Sequence, residues 1–183
     1  SEDCTGSMEQ SDSPVDLGAE RVNELARNFW NSAILRAGIK LDIFSLLDNN
    51  ALTFQEVASR IGASSRYTQA FLDCCTVMDL LDNQDGKFTN SSTASKFLVK
   101  GKSAYVGDHA LHHTNTWASW GRLDEVIKEG KTFLPYETGF VDADTYWTNY
   151  MIGQHNRATS GQAHYLVQSL DLRGKRNLID LGG

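Results

Sequence analysis

Cysteine is scarce in this sequence, with three among 183 residues, and two of the three, Cys74 and Cys75, are adjacent. Neighbouring cysteines rarely form a disulfide with each other, and Cys4 lies in a polar, acidic stretch. No CxxC pair or other spacing typical of a metal site is present. The sequence therefore predicts neither a disulfide framework nor a bound metal, and we expect a reducing, cytoplasmic setting.

Long apolar runs are absent as well. None approaches the roughly 20 residues that a membrane-spanning helix needs. The N-terminal residues are acidic and polar, whereas a secretory signal begins with a basic and then an apolar stretch. Hydrophobic residues make up 40% of the chain and charged residues 22%. This composition is typical of a soluble globular protein, and we expect no membrane partner.

Basic residues are missing from the first 20 positions, which hold six acidic ones: Glu2, Asp3, Glu9, Asp12, Asp16 and Glu20. Subtracting these six from the total of 23 acidic residues leaves 17, which equals the number of Lys and Arg. The body of the chain is thus close to neutral, and we expect residues 1–18 to form a disordered acidic tail. A neutral body lacks the basic surface that nucleic-acid binding requires.

Helical spacing of apolar residues dominates residues 19–100, with one hairpin signal among the helices. Thr53 and Glu56 have the spacing of a capping box that opens a short helix, and Gly62 is suited to the turn that follows. Residues 83–86, Asn-Gln-Asp-Gly, are typical of a hairpin turn between two short strands. Helix, turn, helix and small hairpin together predict a winged-helix-like domain.

Residues 101–172 return to helical spacing. The pattern predicts one helix over residues 103–127, a loop over residues 132–139, and a long helix that begins at Asp142 or Asp144 and runs to about residue 170. We therefore expect a mainly α fold in which long helices follow the winged-helix-like domain.

The last residues change from helical to strand character. Residues 177–181, Asn-Leu-Ile-Asp-Leu, read as a buried strand that meets Gly182 and Gly183. Glycines after a strand let the backbone come close to a nucleotide-type cofactor at the carboxyl edge of a sheet. A plain strand before a turn has the same pattern, so the signal depends on its context.

Four segments supply that context, because in this order they resemble the S-adenosylmethionine (AdoMet)-dependent O-methyltransferases of the caffeic-acid and hydroxyindole type. Residues 28–44 (NFWNSAILRAGIKLDIF) resemble the opening helix pair of that family, and residues 53–98 resemble its winged-helix segment. Its next helix is similar to WASWGRL and IKEGK, which lie within residues 117–131. Residues 177–183 (NLIDLGG) resemble its first cofactor motif.

The resemblance implies a division of labour between two halves of a longer enzyme. Residues 19–100 would be a dimerisation domain that pairs two copies into a homodimer, and residues 101–172 would wall the pocket for a small-molecule acceptor. Residues 173–183 would begin a truncated Rossmann-like domain that binds AdoMet through Asp180, Gly182 and Gly183. The general base would lie beyond Gly183, so we expect this chain alone to be inactive.

Candidate acceptor-binding residues lie within residues 147–155. Trp147, Met151 and His155 follow one another at helical spacing, and the resemblance implies a pocket-lining methionine here, which we take to be Met151. An aromatic, a methionine and a histidine on one face suit a small-molecule pocket. The alternative interpretation is a stripe that packs against a neighbouring helix.

Three further candidates lie elsewhere. His109 and His113 fall one helical turn apart, with Trp117 one turn further on. A metal pair would need third and fourth ligands that the sequence does not offer, so we expect His113 and Trp117 to flank the acceptor pocket. The alternative is that these histidines cap a buried polar patch. Phe29 is expected either in the core of the dimer or at the pocket of the partner copy.

Two other function classes compete with a methyltransferase half. The first is a winged-helix DNA-binding regulator, whose recognition helix would be residues 64–80. Residues 53–100 hold five basic and five acidic residues, which gives no net positive field toward phosphates. The second is a stand-alone, non-catalytic dimerisation module. The acceptor atom is open as well: oxygen is the family default, and sulfur, nitrogen or carbon are alternatives.

Overall fold

The structure is a computed structural model that describes residues 17–177 together with residues 179 and 181. Most of this part of the chain is helical. In chain order the elements are α1 (Leu17–Lys40), α2 (Ile43–Leu46), β1 (Leu52–Thr53), α3 (Phe54–Ile61), α4 (Ser65–Val77), β2 (Leu81–Gln84), β3 (Lys87–Asn90), α5 (Ser92–Phe97), α6 (Gly107–Asn115), α7 (Trp117–Trp120), α8 (Leu123–Glu129), a 3-10 helix (Pro135–Thr138), α9 (Ala143–Arg157), a π-helical segment (Ala158–Gln162) and α10 (Ala163–Ser169).

The best-packed part of the molecule is the unit formed by α2 to α5 and the strands between them. Phe44, Leu72 and Phe88 come from three different elements. Their side chains are almost completely buried in one hydrophobic core. The C-terminal end of α1 joins this core through Ile39. Apolar burial of this kind is the main source of folding free energy, so residues 43–99 form the stable centre of the chain.

The short-range signals in this unit are confirmed. Thr53 accepts a hydrogen bond from the Glu56 backbone N–H at 3.3 Å, and the Glu56 carboxylate accepts one from the Thr53 N–H at 2.8 Å, which is a complete capping box. Gly62 ends α3 in the left-handed region with φ of 65°. Asp85 and Gly86, both at positive φ, form the two-residue hairpin turn between β2 and β3.

The predicted hairpin has a third strand. β1 pairs antiparallel with β3, with Leu52 opposite Phe88, so the sheet order is β1-β3-β2. The pattern did not predict β1 because two residues are too few to show alternation, and because Thr53 is also the N-cap of α3.

The helix predicted over residues 103–127 is wrong as a single element, because the structure divides it into α6, α7 and α8. The Thr116 hydroxyl donates to the His113 carbonyl at 2.6 Å and so takes an acceptor that a continuing helix would use. At the second break, Gly121 and Arg122 separate α7 from α8, and Arg122 is in a non-helical conformation with φ of −108° and ψ of 20°.

The helix predicted from Asp142 to about residue 170 begins as expected but does not run unbroken. Asp142 caps α9 by accepting a hydrogen bond from the Thr145 backbone N–H at 2.8 Å. Gly161 then adopts φ of 140°, which interrupts the helical geometry and separates α9 from α10. Only glycine takes this conformation readily, so the break depends on the backbone of a single residue.

Two helices of the second half pack closely at a glycine. Gly153 of α9 lies against α6, and a Cβ atom at this position would lie 3.0 Å from the His109 Cα atom. The absence of a side chain therefore lets the backbones of α6 and α9 approach each other.

Large apolar side chains on the N-terminal half of α1 are not covered by the other residues that the structure describes. Val22, Leu25, Phe29 and Trp30 are each more than half exposed. On α10, Tyr165, Leu166 and Val167 are exposed as well. Apolar surface on this scale is typical of a face that packs against another chain or domain.

The predicted terminal strand lies mostly outside the described residues. Of residues 177–181, the structure describes 177, 179 and 181, and these are in no strand. Asp180, Gly182 and Gly183, the predicted cofactor-binding residues, lie outside the described residues. Among the residues that the structure does describe, no helix combines the length and the apolar character that crossing a bilayer would require.

Candidate functional site

A cavity of about 590 Å³ lies where α1 meets α6 and α7. It brings together three of the residues predicted to bind the acceptor, Phe29, His113 and Trp117. The remaining lining residues are Ser32, Thr114, Thr116, Trp120 and Gly121. Its volume is within the range of small-molecule sites, and aromatic walls with a few polar groups suit a flat organic ligand.

The aromatic walls of the cavity come from elements far apart in the chain. The Phe29 ring of α1 meets the Trp117 ring of α7 edge to face, with ring centroids 5.7 Å apart. Trp30 packs edge to face on Phe29 at 6.2 Å. Edge-to-face pairs stabilise fixed ring orientations, so this wall has a defined shape.

His113, one of the polar residues that line the cavity, contacts a second histidine, His109. The Nε2 atoms of His109 and His113 lie 3.1 Å apart, so one ring nitrogen donates a hydrogen bond to the other. Burial and the neighbouring His113 lower the pKa of His109, and burial also lowers the pKa of His112. His113 is exposed toward the cavity and can therefore accept or donate a hydrogen bond to a ligand.

The histidine pair does not form part of a larger ligand cluster. Within the described ranges, no group of three or more His, Cys, Asp or Glu side chains is arranged to hold a metal ion.

Trp147 belongs to a second aromatic cluster. Its ring lies 5.1 Å from the Tyr146 ring and 5.8 Å from the Tyr150 ring, measured between centroids. Tyr150 in turn meets His112 of α6 at 5.0 Å. No sequence pattern distinguishes Tyr146, since its place in the cluster depends on how α9 packs against α6.

Met151 and His155 do not line the cavity that holds Phe29. Met151 is 66% exposed on α9. His155 lines a different cavity of about 490 Å³, together with Tyr105 and Asn156. The predicted set is therefore divided among separate surfaces of the described residues, and the binding roles of its members stay predictions.

A buried polar network fixes the helices that carry the cavity. The Arg36 Nη1 atom donates to the Asn115 Oδ1 atom at 2.9 Å and to the Thr114 hydroxyl at 2.8 Å. The Asn115 amide donates onward to the Asn149 Oδ1 atom at 3.0 Å. Asn115 is almost fully buried, and a buried amide that is hydrogen-bonded on both sides holds α1, α6 and α9 in register.

Residues 23–100 match the family model of the O-methyltransferase dimerisation domain. This segment is therefore similar to the dimerisation domain of O-methyltransferases. The match covers α2 to α5 with their sheet, and all of α1 except its first turns.

Curated relatives cover most of this chain. Over 170 residues it is 30% identical to the tetracenomycin polyketide synthesis 8-O-methyl transferase TcmO of Streptomyces glaucescens. The aligned segment covers 91% of this chain and 50% of that protein. Over 172 residues it is 26% identical to the N,N-dimethyltransferase OxyT of Streptomyces rimosus. Here the aligned segment covers 90% of this chain and 50% of that protein. The chain thus spans about half the length of these relatives.

The fold is also that of a solved enzyme. Human N-acetylserotonin methyltransferase in complex with SAM superposes with a TM-score of 0.73 over 87% of this chain and 51% of that one, at 23% identity. The superposition shows a shared fold over this part of the chain, and an identity of 23% supports no conclusion beyond the fold.

Proposed function

We propose that this chain is the N-terminal part of an AdoMet-dependent methyltransferase and that it supplies homodimerisation and the walls of the acceptor pocket. The observation that carries the proposal is the aromatic cavity between α1 of the dimerisation domain and α6 and α7. A pocket that is shared between the pairing domain and the following helices suits an enzyme in which pairing and acceptor binding are combined.

The acceptor is a small, flat organic molecule, and a hydroxyl is the default methyl acceptor. The relatives support a methyltransferase, but their names include both an O-methyl transferase and an N,N-dimethyltransferase. Sulfur and carbon acceptors are further alternatives. The identity of the acceptor is set by groups around the reacting atom, which this half supplies only in part.

The cofactor proposed is AdoMet, which supplies the methyl group when bound. Asp180, Gly182 and Gly183 are the proposed cofactor-binding residues. Among the described residues, we propose roles in binding the acceptor only. Phe29 and Trp117 would hold the flat body of the acceptor, and His113 would hydrogen-bond its polar group. Holding the reacting atoms together and excluding water are the main contributions that a protein makes to an in-line displacement.

The proposed organisation has four parts. These are the acidic segment of residues 1–18, the last two of which already belong to α1, a winged-helix-like dimerisation domain over residues 19–100, the acceptor region over residues 101–172, and the start of a Rossmann-like domain over residues 173–183. The exposed apolar face of α1 supports the homodimer, because Phe29 and Trp30 would be covered there. A reducing, cytoplasmic setting agrees with the free thiols of Cys74 and Cys75.

The two competing function classes are less well supported. A winged-helix DNA-binding regulator is not favoured, since the matched domain family and the relatives are methyltransferases. A stand-alone dimerisation module describes what this chain would do by itself, without catalysis, and is compatible with the main proposal.

The experiment that tests the acceptor side uses the complete enzyme with a hydroxylated aromatic acceptor. His113→Ala and Trp117→Ala are expected to raise the acceptor KM by about tenfold while leaving AdoMet affinity little changed, because both side chains line the cavity assigned to the acceptor. Ile152→Ala, at an exposed position of α9 that does not line this cavity, is the control and should leave both constants unaltered. Equal loss of AdoMet binding in the first two variants would contradict the assignment.

A further inference from the structure

A second, smaller cavity shares a wall with the one described above. It has a volume of about 290 Å³ and is lined by Ala33, Arg36, Ala37, Lys40, Trp117 and Phe140. Trp117 borders both cavities. The volume is close to the lower end of the range for small-molecule sites.

The spacing on α1 explains why a cavity exists here. Ala33 and Ala37 lie one helical turn apart, and so do Arg36 and Lys40. The two alanines leave room that a larger side chain would fill, and the two cations border the space that results. The same part of α1 therefore supplies both the space of the cavity and two positive charges at its border.

Arg36 is held in place by one end of its guanidinium group. Its Nη1 atom makes three contacts with the end of α6: the Thr114 hydroxyl, the Asn115 side chain, and the Leu111 carbonyl at 3.4 Å. The Nε and Nη2 atoms have no hydrogen-bond acceptor among the residues that the structure describes. Through the free edge formed by Nε and Nη2, a guanidinium group can donate two parallel hydrogen bonds to a carboxylate.

The positive charge at this cavity is not balanced by a neighbouring acid. Neither Arg36 nor Lys40 forms an ion pair with any carboxylate in the described ranges. The acids on either side of Phe140 are already used: Glu137 accepts a hydrogen bond from the Leu134 N–H, and Asp142 caps α9. Burial lowers the pKa of the Arg36 guanidinium, which is the effect of desolvation without a compensating carboxylate.

Two aromatic rings complete the site. The Arg36 guanidinium carbon lies 5.0 Å from the centroid of the Phe140 ring, and the Trp117 ring forms another wall. We propose that this cavity binds a small organic carboxylate with a flat apolar body, with the carboxylate on Arg36 and Lys40 and the body between Trp117 and Phe140. A planar carboxylate matches the free fork of Arg36, and the aromatic walls favour an organic body over a bare inorganic anion.

The test is a titration of the 183-residue chain with benzoate, followed by calorimetry and by amide chemical shifts. Benzoate is expected to bind at least about tenfold more tightly than benzamide, its neutral counterpart of the same shape, because only benzoate forms charge-assisted hydrogen bonds. The largest shifts should fall on Ala33, Ala37 and the Trp117 indole.

Variants separate a built site from a general attraction of anions. Arg36→Lys keeps the charge but loses the planar fork and should weaken benzoate binding by about tenfold. Since Arg36 also joins α1 to α6, the exposed Lys40→Gln is the safer variant for folding, and it should weaken binding by about threefold. Lys87→Gln, an exposed lysine in the hairpin, is the matched control and should leave the affinity unchanged.

Several results would overturn the proposal. Equal affinities for benzoate and benzamide, an unaltered affinity in Lys40→Gln, or displacement of benzoate by an equal concentration of inorganic phosphate would each do so. Binding that appears only after removal of residues 1–16 would assign the cavity to that acidic segment instead. Binding seen in a dissociated variant such as Trp30→Asp, but not in the parent, would assign it to a second copy of the chain.

Discussion

Residues 43–99 and the helices α9 and α10 contain similar apolar side chains but bury them very differently. Leu72 is 0% exposed and Phe44 is 1% exposed, whereas Met151 and Val167 are both 66% exposed. The first region completes its own core. The second region, like the N-terminal part of α1, presents apolar side chains that no described residue covers, so its final structure depends on another surface.

The largest effect is expected inside the self-contained core. Leu72→Ala should lower the free energy of unfolding by about 2–5 kcal/mol, because it removes buried methyl groups and leaves a cavity. Val77→Ala, on the same helix but 85% exposed, is the matched control and should change it by less than about 0.5 kcal/mol. Urea denaturation measures both, and equal effects would show that α4 is not buried as described.

A smaller effect is expected where α6 meets α9. Gly153→Ala should lower the free energy of unfolding by about 1–3 kcal/mol, since the new Cβ atom would lie 3.0 Å from the His109 Cα atom and force the helices apart. Gly121→Ala serves as the control, because its Cβ atom would lie 3.5 Å from the nearest backbone oxygen. If both variants were equally stable in thermal denaturation, the close approach of the two helices would be wrong.

Several features of both regions were predictable from the sequence because they depend on neighbouring residues. The capping box at Thr53, the turn at Gly86 and the cap at Asp142 are examples, since each uses side chains within four positions. The breaks at Thr116 and Gly161 were not predicted, because apolar periodicity continues across both and only backbone geometry interrupts it.

The candidate site was predictable in composition but not in arrangement. Aromatic residues and histidines at helical spacing identified Phe29, His113 and Trp117, which meet in one cavity. That Met151 faces elsewhere depends on the angle at which α9 crosses α6. No sequence signal identified Arg36, because its guanidinium is anchored only by Thr114 and Asn115, which the fold brings to it.

A pH dependence is expected from the histidines of α6, the helix that packs against α9. The pKa values of His109 and His112 are lowered below 6.5 by burial, so the folded state favours the neutral rings. Below pH 6.5 the unfolded chain binds these protons more readily than the folded one, and stability is therefore lost as the pH falls from about 6.5 toward the lowered values. This loss should be smaller than that caused by Gly153→Ala.

The measurement is the melting temperature at pH values from 7.5 to 5 in steps of about half a unit. His112→Gln should flatten the fall, whereas His164→Gln, on α10, should leave it in place. A profile that is identical in His112→Gln and the parent would contradict the neutral, buried state of this ring.

The smallest structural effect is a difference in reactivity between adjacent thiols on α4. Burial raises the pKa of Cys75 to about 12, and Cys74 is exposed. Since the thiolate is the reactive form, iodoacetamide at pH 8 should label Cys74 and leave Cys75 unmodified in the folded protein. Peptide mass spectrometry reads out the two sites, and labelling of both before unfolding would show that the core opens at α4.

The central claim is that a second copy of the chain covers the apolar side chains that α1 exposes. Sedimentation velocity across a range of protein concentrations tests it directly, with the parent beside Trp30→Asp and the control Val77→Asp, which places the same charge on an exposed position of α4. We expect a dimer for the parent and for Val77→Asp, and a folded monomer for Trp30→Asp. A monomeric parent, or a dimer that survives in Trp30→Asp, would contradict it.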